Sequence, residues 1–211
     1  MRAPTLALLA GAVFLAACDT ATKPSNDNFR NAINEYLAKH GETCTVIDRQ
    51  FPIDLPRPEQ NLQYGIGPKL AALEKAGLVH ATDTTAAVHG LVGPLQGPSP
   101  AQPVKRYELT NLGKGYFQQV AGGVFGQTTR FCYGHKNVDA IVKWTRPVAM
   151  GALTQSEVTY TYKIADAAAW AQRPEIQQAF SDIRATIEGA SKMTDVAGLQ
   201  LTNKGWEVPG Q

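Results

Sequence analysis

Val138-Asp-Ala-Ile-Val-Lys-Trp144 and, beyond a loop through Gly151, Val158-Thr-Tyr-Thr-Tyr-Lys-Ile164 share one rhythm. In the first, Val138, Ala140, Val142 and Trp144 alternate with Asp139, Ile141, Lys143 and Thr145. In the second, Val158, Tyr160, Tyr162 and Ile164 alternate with Glu157, Thr159, Thr161 and Lys163. Successive side chains of a strand point to opposite faces, so this period predicts a hairpin with one buried face.

Such a hairpin needs a cover, and the sequence downstream offers one. Asp166 can cap a short helix over 167–172, and Pro174 opens a longer one with Ile176, Phe180, Ile183 and Ile187 on a single face. Gly189 stops it. Burying those four side chains against the hairpin is worth roughly 1.5–3 kcal/mol each. Leu199-Gln-Leu-Thr-Asn-Lys-Gly-Trp-Glu-Val208 reads as a closing strand. Upstream of the hairpin, Thr128–Tyr133 reads as a strand and Gly134-His135-Lys136 as a turn. Residues 127–208 are thus expected to form an antiparallel sheet covered by the Pro174 helix, within an α+β fold.

Residues 27–121 have a different texture. Asp27 or Asn28 can cap a helix whose apolar face is Phe29, Ile33, Tyr36 and Leu37, ending at Gly41. A short β-prone run carries Cys44, and Phe51 to Pro58 holds three prolines. Gly67-Pro68 starts a helix with Leu70, Leu73 and Ala76 as its stripe, ended by Gly77. Strands are expected over Leu78–Ala81, Ala86–Leu91 and Lys105–Leu109, and Thr110 caps the turn that follows. Taken together, Leu70-Ala-Ala-Leu-Glu-Lys-Ala-Gly-Leu-Val79 and Arg106-Tyr-Glu-Leu-Thr-Asn-Leu-Gly113 resemble the winged-helix pattern of the MarR, PadR and ArsR type transcription regulators. The resemblance implies a recognition helix, a wing and the start of the next helix. The chain departs from it in two ways. Pro-rich sequence stands where the first helix of the turn belongs, and the exposed helix positions offer Lys69, Glu74 and Lys75 rather than side chains that read base edges. The expectation is a winged-helix-like lobe that has kept the scaffold and binds no nucleic acid.

The N-terminus gives an address. Arg2 precedes an apolar run, Leu15-Ala16-Ala17-Cys18 follows, and a polar segment without periodicity leads away from Asp19. A basic start, a short apolar core and small residues at a cut site describe a secretory signal. The uncharged run falls short of the ~20 residues that a spanning helix needs. Leu-Ala-Ala-Cys resembles the lipobox of bacterial lipoproteins. The resemblance implies cleavage between Ala17 and Cys18, a diacylglycerol thioether on Cys18, and acylation of the new amine. It gives residues 1–17 as signal peptide and 18–26 as lipidated tether. The expected location is the bacterial cell envelope, with the body facing the periplasm and the inner membrane favoured by Asp19. Two buried acyl chains already hold a protein stably on a membrane.

That address sorts the three cysteines. With Cys18 acylated, Cys44 and Cys132 remain, and an even remainder in an oxidising compartment reads as a disulfide. The alternative is two buried free thiols. Overall charge is modest, 20 Lys plus Arg against 18 Asp plus Glu, and gives no field for nucleic acid. His40, His80, His89 and His135 are scattered. His80 and His89 can face each other only across a turn at Thr84-Thr85, and two imidazoles fall short of a zinc set. No nucleophile elbow, metalloprotease helix or phosphate loop appears. Trp144, Tyr160, Tyr162, Trp170 and Trp206 are either core or the wall of a cleft. The sequence therefore predicts no catalytic residue, no metal ligand and no cofactor. It predicts a membrane-anchored lipoprotein that binds an envelope protein or small ligand, or supports an envelope assembly. The other class is an envelope enzyme whose site is assembled from distant residues, for instance around His135 and Arg130.

Overall fold

One strand of 18 residues, Gln127–Trp144, is the spine of the molecule. The computed structural model describes residues 21–88, 100–121 and 127–210. Its elements are α1 (Asn26–His40), β1 (Glu42–Ile47), β2 (Ile53–Pro56), α2 (Arg57–Gln60), α3 (Ile66–Lys75), β3 (Val79–Ala86), β4 (Gln102–Leu109), α4 (Asn111–Lys114), β5 (Phe117–Ala121), the spine β6, β7 (Val148–Met150), β8 (Leu153–Ala165), a 3-10 turn (Ala169–Gln172), α5 (Pro174–Ala179), α6 (Ser181–Gly189), β9 (Thr194–Thr202) and β10 (Gly205–Glu207). The larger sheet runs β1-β6-β8-β9-β10, with β5 also on β6 and β7 on β8; the smaller runs β2-β4-β3. Every described pairing is antiparallel, so the chain has an α+β fold.

The expected turn at Gly134-His135-Lys136 is strand instead, because β1 and β8 pair with this part of β6 and satisfy its backbone. The hairpin is present and turns at Gly151, whose φ of 63° suits glycine. Its two strands differ in regularity. β8 keeps the expected alternation, with Val158, Tyr160 and Tyr162 all buried. β6 does not. Its register slips between Val138 and Ala140 and again between Ile141 and Lys143. Each bulge inserts a residue and resets the face, so Val138, Ile141 and Trp144 stand opposite Tyr162, Tyr160 and Val158. Val142, expected inside, is 54% exposed.

The covering helices also exchange roles. The buried hairpin face packs with Phe29, Ala32, Ile33 and Leu37 of α1, together with Leu199 and Trp206. Ser25, not Asp27 or Asn28, caps that helix, accepting from the Asn28 amide at 3.2 Å. The segment after Pro174 is two helices broken at Phe180, whose φ of −122° and ψ of 93° are extended. Ile176, Phe180 and Ile183 are fully buried, but among Leu70, Leu73, Leu78, Tyr107, Phe131 and Trp170. The two cores therefore do not divide the chain near residue 121. The first helix serves the hairpin of the C-terminal half, and the last two helices complete the core around α3.

In the smaller sheet β3 is continuous through Thr82–Thr85, where a turn was expected, because β4 pairs with it from Val79 to Ala86. Thr110 caps α4 as expected, accepting from the Gly113 amide at 2.9 Å.

Candidate functional site

Between β1 and α3 the chain crosses the surface as a Pro-rich segment, the short α2 and the stretch 61–65. This region forms a groove of about 330 Å³ lined by Asp48, Arg49, Glu59, Leu62, Tyr64, Ile66 and Lys69. Leu62 is 55% exposed and Tyr64 82% exposed. Gly65, with φ 93°, turns the chain into α3 and brings Tyr64 to the rim. Arg49 and Glu59 form an ion pair across the groove, and Gln60 donates to the Leu55 carbonyl at 2.7 Å to hold α2 on β2. The result is a groove with Leu62, Tyr64 and Ile66 among its walls and both signs of charge on its edge. It lies near the small end of ligand sites, and it suits an apolar side chain or short peptide segment. Sequence reasoning passed over Leu62 and Tyr64. Their signal was two large apolar residues in a stretch without periodicity, just ahead of a glycine that starts a helix.

A second groove, of about 400 Å³, is lined by Phe51, Pro52, His80, Glu108, Leu109 and Lys114. His80 lies 3.3 Å from Glu108, both about half exposed. His80 thus has a carboxylate partner from β4, the strand it pairs with. His89 lies outside the described residues. His40 stacks on Tyr36, ring centroids 4.4 Å apart. His135 contacts the Leu37 carbonyl at the end of α1.

Arg130 belongs to a different arrangement. Its guanidinium donates to Glu42 at 3.0 Å and to Gln118 at 2.7 Å, and Gln118 donates to Glu42 at 2.7 Å. Glu42 is also the register partner of His135. Even so, His135 and Arg130 are engaged with separate partners, the Leu37 carbonyl for His135 and Glu42 with Gln118 for Arg130. Beside this cluster Cys44 and Cys132, directly paired on β1 and β6, lie with S–S 2.13 Å and close a loop across 88 residues. In the chain-entropy model such a loop contributes at most about 4–5 kcal/mol. Glu42, Cys44 and Cys132 bring possible ligand atoms within 4.8 Å of one another. A metal needs thiolates, though, and these two sulfurs are bonded to each other.

The aromatic residues singled out in the sequence are mostly core. Tyr160, Tyr162, Trp170 and Trp206 are buried, divided between the two clusters. Trp144 is 37% exposed, packs edge-on against Phe29 and donates to the Asn26 side chain at 3.0 Å. Cys18, Ala17 and Asp19 lie outside the described residues, and among the described residues no helix is long and apolar enough to cross a membrane. No family model, no curated protein and no solved structure matches the chain.

Proposed function

We propose that this protein is a lipoprotein of the bacterial cell envelope, held by acyl groups on Cys18 with its body facing the periplasm, and that it binds rather than catalyses. Its partner is an envelope protein segment or small ligand seated in the groove at Tyr64. One observation carries the binding role. Leu62 and Tyr64, two large side chains, stand in water on the wall of a groove rimmed by Arg49, Glu59 and Lys69. Exposed apolar surface concentrated in a concavity with a polar rim is the usual mark of a docking site. The Leu15-Ala16-Ala17-Cys18 stretch supports the anchor. The Cys44–Cys132 pair is at home in an oxidising compartment.

The finer reading of residues 27–121 as a winged-helix-like lobe is also ours. The order β2, α2, α3, β3, β4, with β4 central in the sheet, supports it. The exposed side of α3 that would enter a DNA groove is flanked by α5: Pro68, Ala71 and Lys75 share a crevice with Glu175, Gln178 and Ala179. That neighbour supports a scaffold put to another use, without nucleic acid.

A photo-crosslinking side chain at Tyr64 in intact envelopes tests the binding role. We expect a discrete crosslinked species that a probe at the exposed Thr85 does not give. Equal labelling from both positions would remove the groove from the account. Cys18→Ser tests the anchor, with loss of membrane fractionation expected; unchanged fractionation would refute it.

A further inference from the structure

The tether leaves the body beside the most exposed apolar feature of the sheet. Trp206 Nε1 donates to the Thr22 carbonyl at 3.1 Å. A side chain on Gly205 would meet the Ala21 carbonyl at 3.1 Å, so Ala21 lies against β10. Trp206 is the register partner of Leu201, which pairs in turn with Thr154 of β8. Leu153 is the next residue and faces Met150 in β7. The β7–β8 turn and the start of the tether therefore share one end of the larger sheet. Leu153 on β8 is two strand spacings from β10, where the tether lies, about 10 Å, and Met150 on β7 is three, about 14 Å.

That turn is apolar where a soluble hairpin is polar. Val148 is 58% exposed, Met150 64% and Leu153 42%. Val148 and Met150 are two apart on β7, and Leu153 is Met150's partner, so the three side chains lie on one face. Between Thr145 and Ser156 the sole ionisable residue is Arg146, and between Leu199 and Trp206 it is Lys204. This end of the sheet offers exposed apolar side chains with Arg146 and Lys204 beside them, and the carboxylate of Glu207 stands three strands away in the row of Val148. From Ala21 back to Cys18 there are three peptide steps, which span at most about 11 Å.

We propose that the β7–β8 turn is a second membrane contact, resting on the anchor reading above. Val148, Met150 and Leu153 enter the boundary between headgroups and acyl chains of the leaflet that holds Cys18, and Arg146 and Lys204 meet the lipid phosphates. A tether this short keeps the sheet end at the bilayer whatever the body does. Apolar side chains there leave water for lipid at no further cost in translational freedom. The contact orients the body, so that it is held by two points instead of swinging on one.

The test uses the mature full-length protein reconstituted in vesicles of phosphatidylcholine and phosphatidylglycerol. An environment-sensitive fluorophore is placed through Met150→Cys and, as control, through Thr85→Cys on the smaller sheet, with the Cys44–Cys132 bond left oxidised. Brominated lipid should quench the label at 150 several-fold more than the label at 85, and iodide in the water should quench it less. Equal iodide access at the two positions on an acylated protein overturns the second contact and leaves the anchor standing. Protection from iodide without quenching by brominated lipid overturns it too, and assigns the turn to a protein interface. Intact mass of the same preparation reads the anchor separately. A mature chain without acyl groups sinks the anchor reading, and lipid quenching at 150 on that chain would still support the turn.

Discussion

Trp206 ties the two ends of the folded body together: its indole donates to the Thr22 carbonyl across 184 residues of chain. The same ring packs edge-on against Phe29 at 5.0 Å, so one side chain joins the tether, the first helix and the last strand.

The two functions of that ring separate by substitution. Trp206→Phe keeps an aromatic edge for Phe29 and removes the hydrogen bond, at a cost of about 1 kcal/mol. Trp206→Ala also empties a position that is 7% exposed, at a cost of about 3–5 kcal/mol. Urea unfolding of the two variants, at unchanged m, measures both. A loss in Trp206→Phe equal to that in Trp206→Ala would show that packing contributes little there.

Arg106 and Asp54 join β4 to β2 through two hydrogen bonds, 2.7 and 2.8 Å. The guanidinium's hydrogen bonds, aided by its charge, hold the Asp54 carboxyl below its ordinary value of 3.8, against the opposing effect of partial burial. A carboxyl whose folded pKa is depressed adds stability above its unfolded pKa, and that stability is lost as pH falls through the folded value. Asp54→Asn should therefore destabilise the protein at neutral pH by about 1 kcal/mol, since the pair is part-exposed. The gap between variant and parent should close in acid below the ordinary carboxylate range. A gap that persists unchanged there would assign the loss to shape instead of charge.

How far the sequence reached depended on which rule each segment obeyed. β8 was legible because Val158, Tyr160 and Tyr162 keep a strict period and are all buried. β6 was legible as a strand but not in its facing. Its inward residues fall at 138, 141 and 144, a spacing set by two bulges that no local propensity announces. Thr110 could be read as a cap because capping is a local bond. The partners of α1 and of the helices after Pro174 could not, because an apolar stripe says that a helix is covered and not by what. Cys44 and Cys132 were paired by counting and compartment, and cross-strand register now explains why they can meet. The groove at Leu62 and Tyr64 had almost no signal, since it arises from where α2 and α3 lie on β2.

Phe180 is where the exchange of helices is most open to attack. It is fully buried, it sits at the extended break between α5 and α6, and Lys69 of α3 lies 5.5 Å above its ring. Its contacts belong to the core around α3, not to the hairpin. Phe180→Ala should cost about 3–5 kcal/mol by urea unfolding. Hydrogen exchange adds the location. Amides of α3 and α6 that exchange through partial opening should lose more protection than those of α1, because the emptied volume lies on their side of β6. If α1 and the hairpin amides lose protection first while α3 is untouched, the ring belongs against the hairpin, and the packing of the last two helices described above is wrong.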